Sequence, residues 1–511
     1  MKSGIQFDIP LIVDMHIEDF DTGNVNRFES VAKNVVYAQY QDGRWYATQR
    51  PGVNLFENAS ASVTDARGRG LYYWDQVTDR DIVNADTVYK GSYSGSTMAI
   101  STGTQRVYVS DVGDYLIIVD PENDEAWTIA LATPTTIAQI TDVDFPTEQT
   151  PALSLARGCA ILNGKAYVMT TRGDIYESDV EDPTSWGALN FRNAEYSPDG
   201  GVYITNHLNH VVAFGTRSMQ FFYDNANPAG STLEPRLDVV YDVGMIDADA
   251  CCSVGEETYF IGQDATGSIG VYKLSGLSLN KISKEDFDTY LTTSILTDGY
   301  DVVLSGQMSG GRVFVQLTVY DTPSDISPLQ TFVYSSTKSW WGVWDVQLTG
   351  VNYFPLVQWQ PSTSTRAGEG ILTNGDIVTM LDDFNPQDTE SSTSVYASGV
   401  YESGVYVETA GDNTLIPIEI ITGSYDGNTV GRKRQGDLWL VHSPTATSEQ
   451  MAVLVADDQN SAYEDAGYID VSDIESRLNR MGSFRRRNYK ITGSFSEQIR
   501  AEKLQTSMRA G

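Results

Sequence analysis

The stretch GCAILNGKAYVMTTRGDIYE, Gly158 to Glu177, decides the fold, because its pattern returns along most of the chain. It opens with small and apolar residues (Cys159, Ile161) and turns at Asn163-Gly164. A strand then runs from Ala166 to Met169, and after a second turn another opens at Gly173-Asp174-Ile175-Tyr176. Two hairpins in tandem are the content of one propeller blade. Similar strand starts stand at Leu71 (LYYW), Val107 (VYVS), Val211 (VVAFG), Thr258 (TYFIG) and Val313 (VFVQL). Second elements follow at Gly113 (GDYLII), Ser218 (SMQFFY), Gly267 (GSIGVY) and Gln330 (QTFVY), and a late copy, GDIVTML at Gly375, stands where a ring would close. The starts are 36, 59, 45, 47 and 55 residues apart, a degenerate period close to the length of a four-stranded blade. The expectation is an all-β chain with a β-propeller of about six blades.

Composition agrees. Apolar residues make up 41%, and the 29 Tyr and 44 Gly favour strands and turns over helices. The net charge of −34 means that most of the surface repels free nucleic acid. From Arg477 to Gly511 there are nine Lys/Arg against two Asp/Glu, a net of +7, which leaves −41 on residues 1–476. An acidic body therefore ends in a basic tail, which is either a solvated terminus or a tail that docks on an acidic neighbour such as another copy. Three cysteines, two of them vicinal (Cys251, Cys252), make no disulfide framework and read as buried thiols of a reducing compartment. Asp8, Asp14, Glu18 and Asp19 break the apolar run near the N-terminus, and no 18-residue apolar run exists, so neither a signal peptide nor a membrane segment is expected.

Three units are expected. Residues 1–67 form an N-terminal extended arm and a hairpin, the latter turning at Gln41-Asp42-Gly43. Residues 68–384 form the propeller, with a long connector at Thr133 to Ala152 between blades two and three. After the polar break Asn385 to Ser394, residues 385–511 form a smaller antiparallel β domain with the basic tail. Ser494 and Glu497 fit a capping box, predicting a short helix through Ile499, Lys503 and Met508.

Three stretches together resemble one family: Asn-Val-Asn-Arg-Phe-Glu (24–29) with Arg-Pro-Gly-Val (50–53), the blade series, and Arg477-Leu-Asn-Arg-Met-Gly-Ser-Phe-Arg-Arg-Arg-Asn-Tyr-Lys-Ile491. They look like the tail hub, or packaged-DNA stabilisation protein, of short-tailed bacteriophages, similar in architecture to the tail nozzle called tubular protein B. That resemblance implies a structural virion protein without enzymatic activity, assembled in the host cytoplasm as a homohexamer below a head-to-tail adaptor. It would form the distal DNA channel, retain packaged double-stranded DNA until genome ejection without sequence-specific contacts, and anchor tail fibres or spikes. The segment before Gly482 reads equally as a strand or as a helix capped by Ser472 and Glu475. Arg477, Arg480, Arg485, Arg486 and Arg487 are the expected subunit or adaptor contact, since alternating arginines on a strand would present two to one face. A carboxylate-lined lumen would let a duplex slide, although an isoelectric point near 4.3 equally fits a halophilic or marine host.

The other class considered is a glycan-binding or glycan-hydrolysing propeller used in host recognition. Its candidate acids are Asp142/Asp144, Asp247/Asp249 and Asp382/Asp383, pairs that 68 acidic residues produce by chance. Its candidate stacking surface, Trp340-Trp341 with Trp344, fits a blade core better. His207 and His210 lack the framing of a zinc site, and Asp120-Pro-Glu-Asn-Asp-Glu125 lacks the spaced ligands of a calcium loop. No catalytic residue, cofactor or metal is expected.

Overall fold

The structure is a computed structural model that describes residues 5–21, 24–57, 59, 67–77, 79–194, 196–227, 230–309, 311–322, 325–345, 356–361, 368–372, 374–380, 387–390, 413–426, 431–457 and 462–510. Among these, strands dominate and one α-helix, Glu285–Thr292, is present. Six antiparallel blades follow one another from Gly68 to Val343, each entering on an inner strand and working outward. Their first strands are Gly68–Trp74, Tyr108–Val112, Ala160–Leu162, Tyr203–His207, Cys251–Val254 and Asp301–Ser309. The ring is completed by a further sheet of Leu356–Pro361, Gly368–Leu372 and Ile377–Met380, whose outer place is taken by Val53–Glu57 from the N-terminal region. Strands far apart in sequence thus close the circle, and the late copy at Gly375 belongs to this sheet.

Local chemistry explains the hairpins. Asn163 (φ 50°) and Gly164 (φ 76°) both occupy the left-handed region, as a two-residue primed turn demands, and join Ala160–Leu162 to Lys165–Met169. Blades then pack face to face. Trp74 and Val83 of blade 1 meet Leu116 and Ile118 of blade 2, Tyr167 and Met169 of blade 3 meet Ile204 and Phe222 of blade 4, and Tyr259 of blade 5 meets Phe332 and Tyr334 of blade 6. The closing sheet is held on both sides: Leu372 and Val378 pack on Phe314 and Trp344 of blade 6, and Ile371 and Ile377 on Leu71 and Ile82 of blade 1. The repeated sequence signal marks different strands in different blades. GDYLII lies on the second strand of blade 2, whereas GDIYE, SMQFFY, GSIGVY and QTFVY lie on the third strands of blades 3 to 6.

Beyond the propeller two sheets form a sandwich. One continues the outer edge of blade 6 through Asn24–Lys33 to Pro417–Ile421, Arg487–Ser494, Gln450–Asp457 and Glu464–Asp470. The other contains Val35–Gln39, Trp45–Gln49, Arg500–Ala510 and Lys433–Ser443, with Ile5–Pro10 on Arg500–Ala510. Ile9, Tyr37, Leu438, Val453, Ile491 and Leu504 fill the space between them. The N-terminal strands therefore serve two bodies, with Val53–Glu57 in the propeller and Ile5–Pro10, Val35–Gln39 and Trp45–Gln49 in the sandwich.

The expected C-terminal helix is instead the strand Arg500–Ala510, because it finds antiparallel partners on both sides, and Ala501, Leu504, Thr506 and Met508 bury toward the sandwich. The Glu497 carboxylate caps no helix; it accepts the backbone N–H groups of Ala446 (2.8 Å) and Thr447 (3.2 Å). The segment before Gly482 is extended at Arg477–Leu478, with Arg480 in the left-handed region (φ 62°), and the chain is extended again just after it at Ser483–Phe484. The polar break is described only at Gln387–Glu390, a strand parallel to Val53–Glu57.

Candidate functional site

Two places gather charge into structure: the propeller axis and one corner of the sandwich. At the axis, Arg157 sits in a two-residue strand that runs parallel to the first strand of blade 4. Its guanidinium lies 3.1 Å from Asp247 and 3.1 Å from Asp249, in the connection leading into blade 5, and donates to Gln105 (2.7 Å) ahead of blade 2. Tyr108 of blade 2 donates its hydroxyl to Asp249 at 3.0 Å. Blades 2 and 5 can touch only across the centre of the ring, so this chain of groups spans it.

The Asp249 N–H donates to Asp247 Oδ1 (2.8 Å), fixing the two carboxyls relative to each other. Burial holds the Asp247 carboxyl above the usual carboxylate range, and the neighbouring Asp249 adds to that while Arg157 opposes it. Asp301, which opens blade 6, is shifted the same way, by burial first and then by Asp249. Such an arrangement locks blades together rather than presenting an acid and a base to a substrate. Among the described residues, these groups occupy the centre of the ring.

The remaining sequence candidates resolve into structural roles. His207 and His210 flank a hairpin turn. His207 Nδ1 lies 3.0 Å from Thr258 Oγ1 and its Nε2 2.6 Å from the Gly276 carbonyl, while His210 faces Arg236 (3.1 Å). Asp120 pairs with Arg69, and Glu122 accepts the N–H groups of Thr104 and Gln105 (2.7 Å each). Asp142 accepts the Asp144 N–H (2.9 Å), closing a turn of the connector. Trp340, Trp341 and Trp344 are buried and offer no stacking face. Asp382 and Asp383 lie outside the described residues. Among the described residues no group of three or more His, Cys, Asp or Glu side chains is arranged to hold a metal ion.

The basic segment divides. Arg477, Arg480, Arg485 and Arg486 are exposed, and Arg477 lies over the Trp439 ring at 5.5 Å. Arg487 is turned inward at 3% exposure. It meets both Asp457 oxygens (2.5 and 2.6 Å) and donates to Gln435 Oε1 (2.7 Å) and the Met481 carbonyl (2.6 Å), so its charge is consumed within its own fold. The expected face of alternating arginines is not formed, since Arg485 and Arg486 sit in the turn before the strand Arg487–Ser494. Sequence reasoning missed Arg432 and Arg434, both exposed. The strand Lys433–Ser443 pairs Arg434 with Ser483 and Trp439 with Arg477, which brings them to the same corner. The signal was the run Arg432-Lys433-Arg434 in an otherwise acidic chain.

Among solved structures the chain is similar to the N-terminal domain of Nup159, at 8% identity over 68% of this chain and 98% of that one with a TM-score of 0.37. It is similar to BamB from Moraxella catarrhalis at 13% identity over 62% and 97%, TM-score 0.34. It is similar too to an exo-beta-1,3-galactanase from Phanerochaete chrysosporium at 11% identity over 78% and 95%, TM-score 0.29. No curated protein matches. The family model described as bacteriophage P22 Gp10, beta-propeller, matches residues 25–352. That span takes in all six tandem blades and well over half of the chain, and so the chain belongs to the bacteriophage P22 Gp10 β-propeller family and is a phage structural protein of the virion.

Proposed function

We propose that the chain is the subunit of a phage tail hub or nozzle, a homohexamer that sits distal to a head-to-tail adaptor, continues the DNA channel, retains the packaged genome and anchors fibres or spikes. The observation that carries this reading is the charge distribution on a family propeller: −41 over residues 1–476. A conduit must not bind what passes through it, and carboxylates facing a duplex repel it. Because Arg157 and its partners cross the propeller axis, the channel lies between copies rather than within one. The sandwich supports a mechanical role as well, since Ile5–Pro10 and Arg500–Ala510, distant in sequence, are paired within it, so that load on either strand is borne by a sheet.

Electron microscopy of the particle, with an antibody against the propeller, tests the reading. The expected result is label at the tail and a centrally open ring of copies around the DNA path. Label on the capsid shell, or a single copy per virion, overturns it.

A further inference from the structure

We infer that the arginine corner of the sandwich docks on a carboxylate face of the propeller of a second copy of this chain, a head-to-tail contact that deepens the ring reading above and rests on it. Arg432, Arg434, Arg477 and Arg480 are exposed at this corner, and none forms an ion pair among the described residues. Arg485 and Arg486 extend the same patch. The chain carries 34 Lys and Arg in all, so this concentration stands out against a body that is acidic throughout.

The complementary face lies on blades 1 to 3, on the side of the ring that carries the turns between their first and second strands. Asp75, Asp111 and Asp114 stand in such turns or beside them, and Asp179 and Glu181 come from the last turn of blade 3, which shares that side. These turns form one continuous belt. Gln76 donates to the Gly113 carbonyl (2.9 Å), and a Cβ on Gly113 would come within 2.8 Å of the Glu181 Cβ. All five carboxylates are exposed, and none has a Lys or Arg partner among the described residues.

Among the described residues, neither Arg432, Arg434, Arg477 and Arg480 nor the five carboxylates find an ion-pair partner in their own chain. The sandwich is continuous with blade 6, whereas blades 2 and 3 lie across the ring from it, so the two faces point to different neighbours. A contact between two different patches of the same chain is heterologous and builds rings or filaments rather than closed dimers. Guanidinium groups suit this contact because they bind carboxylates in a forked geometry, and rim charges of this kind set orientation and on-rate. A second copy is favoured over a duplex because it supplies the matching carboxylates in fixed proportion.

The test uses the full chain and three variants: R432E/R434E/R477E/R480E, D75K/D111K/D114K/E181K, and the milder R432S/R434S/R477S/R480S. Thermal melting confirms that each is folded, and sedimentation at low and high salt reads self-association. The expected result is that wild type associates, each reversal weakens association by roughly a hundredfold, as several rim pairs of up to about 1 kcal/mol each imply, and mixing the two reversed variants restores it. Association of the wild type that neither reversal changes overturns this docking while leaving the ring reading intact. A wild type that stays monomeric at every concentration and salt overturns both. If the wild type retards duplex DNA and the Arg→Ser variant does not, the corner is a phosphate contact and the second copy is not its partner.

Discussion

Arg69 Nη2 lies 2.8 Å from both carboxylate oxygens of Asp120, and neither side chain has any exposure to solvent. Arg69 belongs to the first strand of blade 1 and Asp120 to the second strand of blade 2, so the pair rivets two blades at their inner ends. The guanidinium is further used by the carbonyls of Gln105 (2.7 Å), Ala85 (3.0 Å) and Ser101 (3.3 Å). Removing one partner of such a pair leaves an uncompensated buried charge. Asp120→Ala should therefore lower the unfolding free energy by about 3–5 kcal/mol, whereas Arg69→Met with Asp120→Leu should cost far less. Denaturant titration of the two variants checks the contrast, and equal losses would mean that packing rather than charge is what matters there.

A second prediction concerns acid. Burial depresses the basicity of His207 and His210, and Arg236 adds to the effect at His210. Both are neutral in the fold and bind protons more readily once unfolded, so their contribution is complete above about pH 6.5, the ordinary value, and is lost as pH falls below it. Asp81 works in the opposite sense. Burial raises its carboxyl to about 6 although Lys90 pulls the other way, so the fold takes up that proton first and gains stability as pH drops through this range. The two trends overlap, and the comparison must be made between proteins: His207→Gln should flatten the acid-side decline in melting temperature relative to wild type. Parallel curves for the two proteins would show that His207 does not titrate against folding.

Much of the propeller is legible in the sequence because its information is local. Asn163-Gly164 and Asp42-Gly43 state their turns by residue type, and the unbroken apolar runs Tyr115 to Val119 and Ala166 to Met169 state strands buried on both faces. What cannot be read locally is which strand of a blade a signal marks, since GDYLII and GDIYE look alike yet occupy second and third places. Nor can pairing across the chain be read: nothing in Val53–Glu57 announces Ile377–Met380 as its partner, and nothing near Arg500 announces Ile5–Pro10. That long-range pairing also overrides the helix signal at Ser494 and Glu497, because a strand with partners on both sides satisfies more backbone groups and buries more apolar surface than a lone amphipathic turn. At the basic corner the composition is legible, but the inward direction of Arg487 depends on Asp457, thirty residues away in sequence.

The cysteines give a third prediction. Burial pushes the thiols of Cys159 and Cys251 up to about 12, and that of Cys252 is raised as well, with Cys251 adding to it. The reactive form is the thiolate, so all three should resist a disulfide reagent at pH 8 in the folded chain. Three equivalents should react at once in denaturant. A fast-reacting thiol in the native protein would show that the packing between blades 2 and 3 or around blade 5 opens on that timescale.

The last prediction separates folding from assembly in the basic segment. Arg487 makes two short contacts to Asp457 and two hydrogen bonds to Gln435 and Met481, and Gln435 in turn accepts from the Tyr489 hydroxyl (3.0 Å). Its loss leaves Gln435 and the Met481 carbonyl short of a buried donor, while Asp457, at 37% exposure, is left to water. Arg487→Ser should therefore lower the stability of the chain itself, by about 1–3 kcal/mol, the cost of leaving buried acceptors unpaired. Arg485→Ser with Arg486→Ser, both exposed, should shift melting by little and act instead on self-association in low salt. Melting temperature and sedimentation measured side by side decide it: if Arg487→Ser melts like wild type yet fails to associate, its guanidinium faces a partner, and the inward pairing with Asp457 is not what holds it.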